Sequence, residues 1–516
     1  MRYLRALVLL IFLLALAGCG QSIEERTEGT SAAADDTIVL AAYRPLAPGV
    51  HDSYYCSRIL GVWEPLITAD EETGAPAPCL AVSWEMLDDG RVWVFHLRQG
   101  VCFHDGTPFT AQAVADNIAW MGKGAPLSIF YSRSRKNYYP NLVRVEPLDE
   151  LTVRMTFAKP NVNQLYNMMN FGSPIYAPSC LADDGSFTGT ARGTGPFRIA
   201  ENVQDRYVVL ERNEDYYGEK ARARRILIRT IPSPDVRFAA LKAEEIMGVL
   251  DVSAMPPVLA DELAQDERFA VSVSRSIMVR YLALNGTRPP FNDVRMRRAV
   301  SLLLDRRLLA DALYLGYAVP TTNLLSISSP FYKEFPAARD VAEAKRLAHE
   351  VLGDARQEIV YCVNGADPIA KGEAELIAYW LADIGLDVRI EALEAPMLTA
   401  RMRRGDYDIA RSQQGLPNGD PLYVFKGFFA PNGPRNKALS LGYDNPEVNA
   451  LLAELDTAAD EGRRRALFDR LQEIGVEEQP VVPLYFDENI VVYNAARLTG
   501  YRALRYGVSL AEVAWR

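Results

Sequence analysis

The sequence predicts an α/β protein folded as two lobes, and three observations carry that reading. First, 516 residues exceed what one hydrophobic core supports, so two or three domains or lobes are expected. Second, positions 340–410 alternate helical and strand patterns, which points to a partly parallel sheet covered by helices. Third, Tyr281 to Asp305 reads as a handover between units. Tyr281 to Asn285 is a short strand, and Pro289-Pro290 forbids its continuation, because proline fixes φ and has no N–H. Asn292 or Asp293 then offers an N-cap oxygen, and Val294 to Leu304 reads as a helix. Its apolar face is Val294, Met296, Ala299, Val300, Leu303 and Leu304, with Arg295, Arg297 and Arg298 on the wet side.

Composition narrows the class. A hydrophobic content of 49% with 24% charged residues is that of a globular chain. The formal charge of −10 provides no basic field for phosphates, which excludes nucleic acid as the expected partner. At the start, Met1 to Arg5 is a short positive region and Ala6 to Ala15 is apolar but too short to span a bilayer comfortably. Leu16-Ala17-Gly18-Cys19 follows and resembles a bacterial lipobox, which implies a signal peptide over 1–18 and a lipidated Cys19. A plain secretory signal, or an anchor that happens to end in cysteine, is the competing reading. Residues 19–36 are small and polar and read as a flexible tether. Cys56, Cys79, Cys102, Cys180 and Cys362 remain; the number is odd, so at least one is unpaired within the chain. Cys79 and Cys102 flank one expected hairpin and form the candidate disulfide, against the alternative of unbonded thiols.

The remaining elements follow in order. Thr37 to Tyr43 is the first strand, and His51 to Val62 reads as a helix. Trp84 to Leu87 and Val92 to Leu97 make a hairpin about an Asp-Gly turn that tolerates positive φ. Thr110 caps a helix carrying Ala113, Val114 and Ile118 on one face. Leu151 to Phe157 alternates as a strand, Gly193 to Ile199 is a glycine turn feeding a strand, and further strands fall at 208–211 and 225–231. Val236 to Leu250 reads as a helix. Beyond Asp305, helices are expected at 340–352, 369–384 (ended by Gly385), 395–404, 445–455 and 463–475. Strands are expected at 358–363, 386–392, 405–410 and 489–493.

Several of these stretches together resemble one family. Trp63-Glu64-Pro65-Leu66, Pro78-Cys79-Leu80-Ala81-Val82-Ser83-Trp84, Leu97 to Gly106, Gly193-Thr194-Gly195-Pro196-Phe197 with Arg212-Asn213 to Gly218, and the crossover from Leu282 to Asp305 stand in family order. They are similar to the bacterial extracellular solute-binding proteins of family 5, the dipeptide, oligopeptide and nickel-binding group of ABC importers. The resemblance implies a two-lobed periplasmic-binding-protein fold (type II, cluster C), with mixed sheets and an extra subdomain in the first lobe. Lobe I would be 37–285, with the subdomain at about 67–192; lobe II 286–481; and 482–516 would return to lobe I. It further implies capture of a small solute, a short peptide, and its delivery to ABC permease subunits. The protein would be an exported monomer, lipid-anchored at the outer face of the cytoplasmic membrane, with no cofactor. A nickel, opine or metal-chelate receptor is the alternative within the family, and an envelope hydrolase or chaperone the alternative outside it. No G-x-S-x-G, H-E-x-x-H or S-x-x-K with partners is present, so a catalytic role has no visible engine. The lone G-x-G at Gly193 precedes a strand and lacks a following G-K-[ST], which argues against a phosphate cradle.

In overall pattern the chain is closest to the nickel-binding member, with its pocket residues changed. That member's pocket tyrosine falls on His51, its methionine on Cys56 and its tryptophan on Phe130. Its carboxylate-binding arginine falls near Gly172, and its second tryptophan and its further tyrosine near Gly415 and Gly419. Losing the arginine removes a bidentate clamp, and losing rings opens the pocket, which suits a peptide better than a chelate. His51 and Cys56 either line the cleft or ligate a soft metal. The stretch Arg411 to Asp420 follows a strand's carboxyl end, where α/β clefts bind ligands, so Arg411, Gln413, Asn418 and Asp420 are candidate contacts. Arg411 either replaces the missing arginine or is a solvated strand-end charge; Asp420 either meets a ligand ammonium or caps the helix at Pro421. Tyr506 and Ser509, in the tail crossing the cleft edge, complete the set.

Overall fold

The computed structural model describes residues 36–44, 58–123, 135–169, 173–416 and 421–516. Three sheets carry the architecture. A seven-stranded sheet runs in the order Phe197–Val203, Tyr207–Arg212, Arg225–Thr230, Thr37–Ala42, Gly248–Val249, Asn489–Asn494, Phe269–Ser274. A six-stranded sheet runs Ala318–Pro320, Val481–Asp487, Met278–Leu284, Ile409–Gly415, Gln357–Asn364, Leu386–Leu393. A four-stranded antiparallel sheet, Ala81–Leu87, Val92–Leu97, Thr152–Phe157 and Leu142–Pro147, forms a layer of its own within the first half. Both large sheets are mixed: Thr37–Ala42 lies parallel to Gly248–Val249, and Gln357–Asn364 lies parallel to both its neighbours, while Tyr207–Arg212, Asn489–Asn494 and Val481–Asp487 each pair antiparallel with both their neighbours. Residues from Ile38 to Arg516 make one compact unit.

The strand Met278–Leu284 shows why an unbroken apolar run suits this fold. Val279, Tyr281 and Ala283 enter one core cluster, and Leu282 and Leu284 enter another on the opposite face. Successive side chains point to opposite faces, and both faces are covered by helices, so Tyr281 to Leu284 are all apolar, while Arg280 nearer the strand's start pairs with Asp487. On one face the helices Pro421–Phe429 and Glu461–Glu478 contribute Phe425, Phe428 and Leu471; on the other, Val294–Leu303 and Pro368–Leu381 contribute Met296, Val300 and Ile377.

Strand pairing places the junctions between the two large sheets at 275–277 and at 488, not at 285 and 481. Tyr281 to Leu284 pairs with Ser412 to Ile409, and Val481 to Phe486 pairs with Ala283 to Val279, so both segments belong to the second sheet. The proline pair that reads as the handover instead ends a strand that has already crossed.

Other expectations differ in instructive ways. The helix expected over 236–250 ends at Lys242, and Gly248–Val249 is a strand against Thr37–Ala42. Local propensity favours helix there, but the parallel pairing wins; at Gly248 a Cβ would lie 2.7 Å from the Tyr501 ring, so only glycine fits. Arg297 is not on the wet side: it donates to the carbonyls of Phe291, Glu478 and Gln479, and burial holds its pKa below the usual arginine value. Cys102 carries an exposed free thiol, so the candidate Cys79–Cys102 disulfide is not formed; Cys180 and Cys362 are buried free thiols. Helices Pro257–Ala264 and Arg306–Tyr314 were not expected from sequence. The expected helix over 51–62 lies mostly outside the described residues, which hold only a short turn at Arg58–Leu60.

Candidate functional site

The carboxyl ends of Ile409–Gly415 and Gln357–Asn364, with the start of Met278–Leu284, form the edge of the second sheet nearest the junctions. Arg411 sits near this edge and is buried. Its Nε donates to Glu373 Oε1 at 3.0 Å, Nη1 to Asp367 Oδ2 at 2.9 Å, and Nη2 to the Tyr314 and Tyr485 hydroxyls at 3.0 and 3.3 Å. It is therefore not a solvated strand-end charge, and its donors are already engaged by protein groups. Burial acts against its charge, and Glu373, Tyr485, Tyr314 and Asp367 outweigh burial, leaving its pKa well above the ordinary value. Burial raises the pKa of the Glu373 carboxyl, which Arg411 and the Tyr485 hydroxyl draw back down. Gln413 is exposed and accepts from Arg280, whose Nε also donates to Asp487 Oδ2 at 2.7 Å.

The C-terminal tail bridges the two halves. Arg505 Nη1 donates to the Ser328 carbonyl at 2.6 Å, while its backbone N–H meets Glu71 Oε2 at 3.0 Å and its Nη2 meets the Asp70 and Glu71 carbonyls. Gly74 is packed so closely here that a Cβ would fall 2.1 Å from the Ser328 carbonyl oxygen. Tyr506 donates to the Leu416 carbonyl at 3.4 Å, at the end of the second-sheet strand. Ser509 stays within its own segment, its N–H on the Arg502 carbonyl.

A cavity of about 310 Å³ lies between residues 140–167 and the helix Pro421–Phe429. Asn141, Asn161, Asn163 and Asn167 line one side; Leu422, Tyr423, Lys426 and Pro434 line the other. This size is at the low end of small-molecule pockets. The sequence shows the asparagine density of 161–170, but nothing local says that these amides face a second lobe. His51, Cys56, Phe130, Asn418 and Asp420 lie outside the described residues, as do Cys19, Gly172 and Gly419. Among the described residues no group of three or more His, Cys, Asp or Glu side chains stands ready to hold a metal ion.

The motifs of the first half form a buttress. Glu64 is buried and accepts three hydroxyl hydrogens: from Tyr216 at 2.8 Å, Tyr217 at 3.0 Å and Thr194 at 2.9 Å. The Gly193 and Gly195 N–H groups donate to His104 Nδ1 and to the Val62 carbonyl, so this loop's amides are spent on the fold. Cβ atoms added at Gly193 and Gly195 would lie 2.2 and 2.3 Å from the carbonyl oxygens of Val62 and Gly61.

Residues 75–436 match the family described as bacterial extracellular solute-binding proteins, family 5 Middle. The chain is 27% identical over 421 residues to the probable D,D-dipeptide-binding periplasmic protein of Escherichia coli K12, covering 79% of this chain and 78% of that one. It is 26% identical over 507 residues to the nickel-binding periplasmic protein of the same organism, covering 93% of each. Among solved structures, NikA from Brucella suis in complex with Fe(III)-EDTA superposes with a TM-score of 0.79 at 25% identity, covering 93% of this chain and all of that one. With a match across most of its length and the same two-lobed α/β fold, this chain belongs to the bacterial extracellular solute-binding proteins, family 5.

Proposed function

We propose that the protein captures a short peptide between its lobes and hands it to the transmembrane subunits of an ABC importer, without transforming it. Lobe I would comprise 37–274 with 489–516, and lobe II 278–487. The observation that carries the peptide reading is the groove itself: amides and an aromatic ring face it, and the charges on its wall, Lys426 and Asp456, are paired with one another. A peptide offers amide groups and side chains of varied polarity, which such walls satisfy better than they would satisfy a strongly charged chelate. Family membership and relatives that are binding proteins support a receptor over a hydrolase. Export, tethering through Cys19 and residues 19–36, and action as a monomer belong to the same proposal, supported by the leader pattern.

Native mass spectrometry of protein purified from its host, with metal analysis alongside, tests the reading. A bound peptide mass, with no turnover on incubation, is the expected result. A metal with an organic chelator would instead establish the chelate receptor, the reading favoured by the likeness to the nickel-binding protein over 93% of both chains. Hydrolysis of the bound peptide would overturn both.

A further inference from the structure

Of the cavity's asparagines, Asn161 and Asn163 are held by the protein. The Asn161 amide donates to Gln164 Oε1 at 2.7 Å and to the Pro140 carbonyl, and Asn163 Oδ1 accepts from Arg464. Asn167 differs. It is 8% exposed and lines the cavity, yet its side-chain amide hydrogen-bonds to none of the described residues; only its backbone N–H is used, on the Asn163 carbonyl. Its amide opens onto the cavity, where a ligand's peptide group can pair with it. Opposite stands Tyr423, a large ring left 50% exposed. The one lysine on the wall, Lys426, is paired with Asp456, so the cavity has no net charge to offer.

We infer that this cavity is an extension subsite that takes an uncharged peptide unit of a peptide longer than two residues, held by Asn167 and covered by the Tyr423 ring. The inference rests on the peptide reading above. A carboxamide carries one acceptor and an N–H₂ donor side by side, so it pairs with both the N–H and the C=O of a peptide group. A carboxylate would use only the N–H₂ and leave the carbonyl facing like charge; an ammonium would strand the N–H₂. The ring across the cavity supplies apolar contact without demanding a particular side chain. The helix bearing Tyr423 begins directly after position 420, so this wall follows the stretch Arg411 to Asp420 from which sequence expects ligand contact.

The test is calorimetric titration of the purified full chain in detergent with dialanine, tetraalanine, and tetraalanine N-methylated at its third peptide bond. Wild type should bind tetraalanine at least tenfold tighter than dialanine, and N-methylation should remove much of that gain. Asn167→Ala should lose roughly tenfold in tetraalanine affinity, a fold-change equal to one or two hydrogen bonds, and lose much less for dialanine, so that the gap between the two peptides narrows. It should also become insensitive to the N-methyl group. Tyr423→Ala, at an exposed position that cannot unfold the core, should lose length preference as well. Equal affinity for the two peptides in wild type, or full length preference in Asn167→Ala, overturns the subsite while leaving the peptide reading intact. Failure of every peptide, dialanine included, overturns the peptide reading and the subsite with it.

Discussion

Removing the Glu64 carboxylate should unhinge the first lobe. Its three hydrogen bonds come from the hydroxyls of Tyr216, Tyr217 and Thr194, and among the described residues no ion-pair partner joins them, so they hold the carboxylate. Burial and the Glu64 charge together raise the pKa of both phenols far above the usual range, so they remain donors at any working pH. A hydrogen bond to a charged group contributes about 1.5–3 kcal/mol, and the hydroxyls left behind lose their acceptor. Both tyrosines are only half-buried and can recruit water, so the three losses do not add in full. We expect Glu64→Ala to destabilise by about 3–5 kcal/mol. Glu64→Gln should cost about 1 kcal/mol, because its carbonyl keeps the two phenols and its amide donates to the Thr194 hydroxyl, which rotates to accept. Urea unfolding followed by tyrosine and tryptophan fluorescence measures both. A loss below about 1 kcal/mol for Glu64→Ala would refute the claim that this carboxylate ties the three motifs together.

Further outcomes follow from the same geometry. His104 accepts from the Gly193 N–H through Nδ1 (3.3 Å) and donates to the Gly195 carbonyl through Nε2 (3.0 Å), so protonation sets N–H against N–H, and burial lowers its pKa below 6.5. The unfolded state then binds the extra proton first: stability is intact above pH 6.5 and falls, by at most about 1.4 kcal/mol per pH unit, down to the lowered folded pKa. The stability difference between wild type and His104→Gln, measured at pH 7.5 and 5.5, should shrink accordingly; a constant difference would exclude the assignment. Gly195→Ala should cost more than about 3 kcal/mol, since its Cβ would sit 2.3 Å from the Gly61 carbonyl oxygen; an unchanged Tm would contradict the packing. Arg411→Ala leaves Glu373 and Asp367 without their guanidinium and should cost about 3–5 kcal/mol in thermal or urea unfolding. If Arg411 instead served the ligand alone, that variant would lose binding and keep its stability.

What the sequence discloses and what it withholds divide along physical lines. Caps and turns are local, so Asp293, Asp340 and Thr110 are legible as caps, and Gly385 as a helix stop at positive φ. Alternation and apolar runs give the strands, and the family motifs give the fold. Pairing partners are not local. Tyr281–Leu284 looks like the end of one sheet because nothing in its own residues says that it will pair with Ser412 and Val482. Arg297 looks wet because its acceptors are backbone carbonyls 181 and 182 positions away. Arg411 looks available because Tyr314 and Tyr485, which help to enclose it, stand 171 positions apart in the chain. The conspicuous arginine is engaged by its own lobe, whereas the unpartnered groove side chain is a neutral asparagine that no charge-based search would single out.

The bonding between the lobes differs in kind from the bonding within them. Among the described residues, every ion pair joins groups of one lobe: Arg268 with Glu244, Arg280 with Asp487, Arg411 with Glu373, Arg470 with Glu447. Across the groove, Arg505 meets the Ser328 carbonyl, Arg464 the Asn163 amide oxygen, and Tyr506 the Leu416 carbonyl, all neutral acceptors. The two arginine contacts are each worth about 1.5–3 kcal/mol and the tyrosine contact about 1 kcal/mol, and the loss of any of them strands no opposite charge. A receptor that releases its ligand when a permease parts its lobes needs contacts of that kind, strong enough to define the closed form and cheap enough to break together. Were the arginines matched by carboxylates on the facing lobe, opening would expose unpaired charges on both sides and stall release. On the receptor reading, this placement of charge would separate two tasks: pairs within each lobe, and neutral acceptors where the lobes would part.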